Sequence, residues 1–285
     1  MDEKTVDILR RMLTRSAHPG DDAPAPAASP GQQLRLEVVV AGLSSQVVPH
    51  GDELIRGYLP LMRILVDAHR SAGRRIVAGL AGVPGSGKST LAAVLAELWR
   101  HVEPGPTLTV VGMDGWHLTN AELDRRTFIS DDGSSIPLRR RKGSPPSFDA
   151  EAVASALRRI RHAREDVCVP LYDRNLHEPV PDAGVVPGGT DIVLIEGNYL
   201  LLGAGAWSDV LGQIDLPLWL DIDPEACRDG LLARHIAGGM PPDQAAAKVR
   251  ENDEPNARIA LSSRHQAAWV VCADGSHALT DVRRA

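Results

Sequence analysis

The sequence predicts an α/β fold, a mainly parallel sheet with helices on both faces, and three observations predict it. From residue 74 onward, short apolar runs alternate with helical stripes, the order that lays a parallel sheet between helix layers. One run, "DIVLIEGNYLLL" (191–202), is apolar almost throughout, which suits a central strand covered on both faces. A glycine-rich stretch, "AGVPGSGKST" (81–90), joins an apolar run to an amphipathic one.

Taken in order, the elements are these. "TVDILRRML" (5–13) reads as a short helix, and "AHPGDDAPAPAASPGQ" (17–32) as an aperiodic, flexible Pro/Ala-rich linker. Residues 1–50 are therefore an N-terminal extension, and 51–285 the main domain. From Asp52 to His69, apolar residues at 54, 58, 61 and 65 make a helical stripe that Pro60 starts or kinks. Residues 74–82 form a buried strand. Helix 88–100 follows, with Leu91, Val94, Leu95 and Leu98 on one face. A second strand covers 107–114, and 115–148 are polar and irregular. Asp149 caps a helix over 150–161. Residues 167–173 are extended, and 216–223 form another strand. That strand ends at Asp223-Pro224, an N-cap followed by proline at the first helical position. The next helix runs to Ala237 and stops at Gly238-Gly239, and a late strand spans 267–275.

Composition excludes several classes. Hydrophobic residues make up 43% and aromatics 4%, so the core is mostly aliphatic. A net charge of −6 gives a nucleic-acid partner no basic face to bind. No stretch approaches the roughly 18 apolar residues of a membrane span, and the N-terminus lacks a signal peptide's layout. Three scattered cysteines with no CxxC pattern fit reduced thiols in the cytoplasm. Cys168 and Cys272 lie in apolar runs and read as core filler.

Chemistry enters at Gly82-x4-Gly87-Lys88-Ser89, the Walker A pattern, which chance gives a chain this long roughly once in a hundred. Its strand-to-helix setting is the one a phosphate-binding P-loop needs. The expected fold is thus a P-loop NTPase, a three-layer α/β/α sandwich with a helical lid. Gly82, Gly85 and Gly87 let main-chain N–H groups converge on phosphate oxygens where a Cβ would block them. Val83, Pro84, Ser86 and Thr90 complete the cradle, Lys88 reaches the terminal phosphates, and Ser89 ligates Mg²⁺. A nucleoside triphosphate is thus expected to bind here, and the expected cofactors are ATP and Mg²⁺. A guanine-reading Asn-Lys-x-Asp and a Leu-Ser-Gly-Gly-Gln signature are both missing from the sequence, which argues against a GTP switch and an ABC-type ATPase. "MDGWHLTN" (113–120) places Asp114 at a strand's carboxyl end, beside the loop. Asp114 there either takes a proton from an attacking hydroxyl or helps hold the metal. The plainer alternative is a turn residue before Gly115. Glu196 ends the longest apolar run, where a charge is costly unless a cation or hydrogen bonds meet it. It reads as a metal-side acid or a buried structural carboxylate.

With these residues placed, roughly 55–275 resembles the P-loop small-molecule kinases of the uridine kinase, phosphoribulokinase and type I pantothenate kinase superfamily. The nearest likeness is to bacterial nucleoside kinase-like or fructose-transport-system kinase-like proteins. "MDGWHLTN", "RKGSPPSFD" (141–149) and "PLYDRNLHEP" (170–179) carry it. The resemblance implies a kinase acting on a small-molecule hydroxyl, with Asp114 as general base and Ser89 and Glu196 serving the metal. His117, Arg141, Tyr172, Arg174 and His177 would line the acceptor site. "CRDGLLARH" (227–235) resembles a lid helix, within a lid over about 224–255, in which Arg234 assists transfer and Arg228 binds the nucleotide. A homodimer is implied too. Arg174 stands where uridine kinases carry an aromatic residue, which weakens a nucleoside as acceptor unless Trp116 stacks in its place. The run Arg139-Arg140-Arg141-Lys142 either attracts an anionic acceptor or is a solvated loop.

Overall fold

An antiparallel hairpin opens the described chain, β1 (Leu36–Val40) with β2 (Leu43–Val47). The computed structural model describes residues 35–40, 43–101, 105–129 and 133–285, and the helix at 5–13 and linker at 17–32 lie outside them. Leu36 and Val38 are buried in the same core as the main helices, so the packed unit begins upstream of residue 51. A short helical turn (Gly51–Glu53) and a π turn (Leu54–Tyr58) lead into α1 (Leu59–Ala72). Pro60 lies inside a continuous helical run, directly after the π turn in which the Leu59 N–H bonds the Leu54 carbonyl. That break in register accommodates its ring and missing N–H. β3 (Ile76–Ala81) ends at the glycine-rich loop, α2 (Lys88–Trp99) leaves it, and β4 (Leu108–Gly112) follows.

The stretch 115–148 is more ordered than its polarity suggested. α3 (Asn120–Arg125) starts with a reciprocal cap between Thr119 and Glu122, and β5 (Thr127–Ile129) pairs with β6 (Ser135–Pro137). Asp149 caps α4 (Ala150–His162) by accepting from the Ala152 N–H. β7 (Val167–Asp173) pairs antiparallel with β8 (Glu178–Val186). These two form a separate two-stranded ribbon outside the central sheet.

β9 (Ile192–Glu196) is shorter than the apolar run that predicts it. Tyr199, Leu200 and Leu201 leave the sheet but stay fully buried beside α5 (Trp207–Leu211). β10 (Leu216–Asp221) precedes α6 (Pro224–Ala237), α7 (Pro242–Lys248), a π turn (Val249–Asp253) and α8 (Glu254–Leu261). β11 (Trp269–Ala273) and β12 (Leu279–Arg284) close the chain. The central sheet runs β12-β11-β10-β3-β9-β4, parallel except for β12.

Two cores sandwich this sheet. Ile76, Ala78 and Leu80 of β3 point to α1, α2 and β1, while Val77 and Ala81 point to α4 and the 199–201 segment. Alternate residues of β9 and β10 divide in the same way, which is why these strands read as unbroken apolar runs. The fold is therefore the three-layer P-loop architecture with a six-stranded, mainly parallel sheet. One expectation for the cysteines is corrected: Cys168 is exposed and Cys272 half-buried, while Cys227 is the buried one. Period-two alternation in the ribbon turns Cys168 to solvent between buried Val167 and Val169. Among the described residues no helix is long and apolar enough to cross a membrane.

Candidate active site

Register decides which groups meet. Leu80 and Gly112 both pair with Glu196, so the loop after β3, the turn after β4 and the carboxylate ending β9 share one sheet edge. This is where parallel sheets place their sites.

In the loop after β3, Gly85 and Gly87 adopt φ of +81° and +89°, a left-handed conformation that other residues rarely hold. A Cβ on Gly85 would lie 2.6 Å from the Cys227 carbonyl oxygen and 2.8 Å from Leu231 Cγ. Helix α6 is therefore seated directly on the loop. A Cβ on Gly82 would meet the Leu220 carbonyl oxygen and Ser86 Oγ, each at 3.0 Å. On the other side, His277 Nδ1 lies 3.3 Å from the Ser86 carbonyl oxygen, and His277 itself has a φ of +67°. The bare backbone leaves a cradle of N–H groups at the start of α2, which suits polyphosphate.

Lys88 is buried, and its Nζ donates to the Val83 carbonyl (2.8 Å) and Ser86 Oγ (3.2 Å). Burial pushes its pKa down to about 8, against the opposing charges of Glu196 and Asp114. Ser89 Oγ donates to Glu196 Oε1 at 2.9 Å. Burial raises the Glu196 carboxyl to about 6, helped by the nearby charge of Asp114 and opposed by Lys88 and Ser89. A hydroxyl and a carboxylate beside a phosphate cradle fit Mg²⁺, which is held by one or two protein oxygens plus phosphate rather than by a full protein cage. The missing Cβ atoms make room for α6, Leu220 and His277 against the loop, and the free N–H groups at the start of α2 suit a phosphate.

Asp114 is the second residue of a 3-10 turn (Met113–Trp116) straight after β4. Its Oδ2 accepts from an Arg174 guanidinium N–H at 3.0 Å. His117 folds back so that Nδ1 lies 2.9 Å from the Asp114 carbonyl oxygen and 3.9 Å from Oδ1. The imidazole stacks on Phe148, ring centroids 3.9 Å apart, and meets Tyr172 at 5.0 Å. Burial lowers the His117 pKa, which keeps the ring neutral. Tyr172 carries two cations over its ring, Lys142 Nζ at 5.2 Å and the Arg174 guanidinium at 5.6 Å.

The remaining candidates divide. Arg234, on α6, is close enough to act electrostatically on Lys88 and to feel Arg174 and Asp114. Arg228 lies 3.5 Å from the Glu254 carboxylate on α8 and lines a cavity with Val83 and Pro84 of the loop. Arg141 donates to the Glu251 carbonyl and lies over Phe128, tying the 141–149 loop to the helices after α6. His177 has an exposed side chain in the β7–β8 turn, and its carbonyl accepts from Lys142 Nζ (2.7 Å) and Asn120 Nδ2 (3.2 Å). Trp116 is buried in the core and offers no face for stacking. Sequence reasoning missed Asn120 and His277. It also missed the buried His235–Asp253 pair, which links α6 to the following π turn at 2.7 Å. Asn120 had a readable signal in the Thr119-x-x-Glu122 capping box. His277 and Asp253 had none.

No family model matches the chain. Protein YggC of Escherichia coli K12, itself uncharacterized, is 31% identical over 84% of this chain and 95% of its own length. A Schizosaccharomyces pombe protein named "Putative uridine kinase C227.14" is 32% identical over 64% of this chain and 77% of its own. Bacterial proteins named pantothenate kinase match as well. Among solved structures, the "putative fructose transport system kinase" of Silicibacter sp. TM1040 superposes with a TM-score of 0.60 at 32% identity. That match covers 70% of this chain and 95% of the other. With its P-loop, its sheet order and these relatives, the chain belongs to the P-loop kinase superfamily of uridine kinase-like and pantothenate kinase proteins.

Proposed function

We propose that the protein is an ATP- and Mg²⁺-dependent kinase that phosphorylates a hydroxyl of a small polar metabolite. One observation carries this reading: a carboxylate, Asp114, is held at the mouth of the P-loop by Arg174, with an aromatic and cationic wall beside it. A nucleotide-binding protein that only senses ATP has no use for such a wall.

ATP supplies the activated phosphoryl group, and Mg²⁺ neutralises charge on its oxygens. The chain's residues do the rest. Loop amides and the α2 N-terminus hold phosphate oxygens, and Lys88 exchanges two neutral acceptors for an anionic one, the stronger partner. Ser89 and Glu196 provide metal-side oxygens. Asp114, with Oδ2 fixed by Arg174, accepts the proton of the attacking hydroxyl at its other oxygen. Arg234 faces the charge that develops in transfer. Seating α6 on the loop keeps water away from the phosphoryl group, and hydrolysis is the competing reaction.

The test is ADP release measured with and without a panel of hydroxylated metabolites. A kinase turns over appreciably only with an acceptor present. ADP release that no acceptor stimulates would instead favour a regulatory P-loop ATPase.

A further inference from the structure

We propose that the acceptor is an anionic alcohol, a hydroxylated metabolite carrying a carboxylate or a phosphate, whose negative charge is received by Lys142 and Arg174. This rests on the kinase reading above and narrows it.

The first argument concerns aromatic surface. A nucleoside acceptor needs a flat face on which its base can stack. The acceptor wall holds Tyr172, His117, Phe148 and Trp116, and none offers one. Trp116 and Phe148 are buried. His117 is packed between Phe148 and Tyr172. Tyr172 already carries two cations over its ring.

The second argument concerns charge. Among the described residues, Lys142 has no carboxylate within ion-pair distance, and its Nζ donates only to two neutral oxygens, of Asn120 and His177. It is half-buried, where an ammonium without a counter-charge is costly. Glu178 is the strongest acidic influence on it, but both Glu178 oxygens accept the Asn120 backbone N–H at 3.0 Å. Arg174 has five N–H donors, and its one hydrogen bond among the described residues goes to Asp114. The rest of its planar fork matches a carboxylate or phosphate edge.

The third argument is position. Arg174 bonds the proposed base directly, and Lys142 shares the Tyr172 ring with it. An anion received by Arg174, with Lys142 at the same ring, would stand beside a hydroxyl at Asp114.

The test uses the full chain with ATP and Mg²⁺ and four acceptor sets: neutral sugars and polyols, nucleosides, hydroxycarboxylates, and sugar phosphates. We expect turnover from one of the two anionic sets, which also separates carboxylate from phosphate. Lys142→Met should raise KM for that acceptor about 10- to 100-fold, with a smaller effect on kcat. Lys142→Arg, which keeps the charge, should recover most of the loss. A neutral sugar or nucleoside turned over with a lower KM than every anion overturns the inference and leaves the kinase reading standing. Should no set be turned over, the same compounds are read as shifts in melting temperature with Mg²⁺ and a non-hydrolysable ATP analogue. Anions that stabilise the wild type but not Lys142→Met support the anion site and reject phosphoryl transfer. No stabilisation by any anion overturns both.

Discussion

Replacing Gly85 by alanine tests whether α6 is seated on the phosphate loop, and the structure supplies its own control. At φ +81° an alanine pays roughly 1–2 kcal/mol for left-handed backbone. Its Cβ would also sit 2.6 Å from the Cys227 carbonyl oxygen and 2.8 Å from Leu231 Cγ. Both are contacts that force α6 to shift, at about 1–3 kcal/mol. Gly73, which ends α1 at φ +62°, has nothing within 4 Å of its would-be Cβ. Gly73→Ala therefore reports the backbone term alone. Thermal unfolding should place Gly85→Ala below Gly73→Ala by several degrees, at about 2 °C per kcal/mol for a chain of this size. A second readout is the rise in melting temperature caused by Mg²⁺–ATP, which Gly73→Ala should keep and Gly85→Ala should lose. Equal melting temperatures for the two variants, with nucleotide stabilisation intact in both, would refute the packing of α6 on the loop.

Three further outcomes are expected. Asp114→Asn should lose about 10²- to 10⁴-fold in kcat while Mg²⁺–ATP stabilises the variant as well as wild type. Turnover at the wild-type rate would remove Asp114 as the base. His117 is held neutral by burial, so its folded pKa lies below the ordinary 6.5. The stability this gives is present above about pH 6.5 and is lost as pH falls through the folded pKa, with a slope of at most about 1.4 kcal/mol per pH unit. His117→Asn cannot titrate and should flatten that limb of the stability curve. An unchanged slope would show that another group drives it. Arg75 donates to three main-chain carbonyls, of Ile160, Gly188 and Thr190. Arg75→Met should cost about 3 kcal/mol in chemical denaturation, since it strands three part-buried acceptors that a charged donor had satisfied. A loss under about 1 kcal/mol would mean water replaces the guanidinium freely.

The phosphate loop and the central sheet were legible because their physics is local. A P-loop is one contiguous segment, and the buried strands announce themselves as apolar runs. Asp114 and Glu196 were readable for the same reason, since each follows a strand whose carboxyl end is recognisable. What stayed hidden was non-local or masked by polar composition. β8 contains two prolines and an aspartate, and β12 reads "LTDVRR", so neither has an apolar run to betray it. Both are edge strands, with one side left free of pairing, where prolines and charges do little harm. Lys142 could be read only as one member of a basic run because its distinction from Arg139 and Arg140 is three-dimensional. It alone turns toward Tyr172, while Arg139 pairs with Asp124 on the surface. His235 and Asp253 are 18 residues apart, and no sequence rule joins them.

The β7–β8 ribbon shares no strand pairing with the central sheet, its two strands being laddered only to each other. Mutations there can lengthen the turn or re-aim Tyr172 without breaking a strand-to-strand bond of the central sheet. On the proposed reading, the Arg174–Asp114 pair is where acceptor choice and phosphate handling meet. Grafting residues 167–186 between relatives should transfer preference for the second reactant while the phosphate-handling half remains intact.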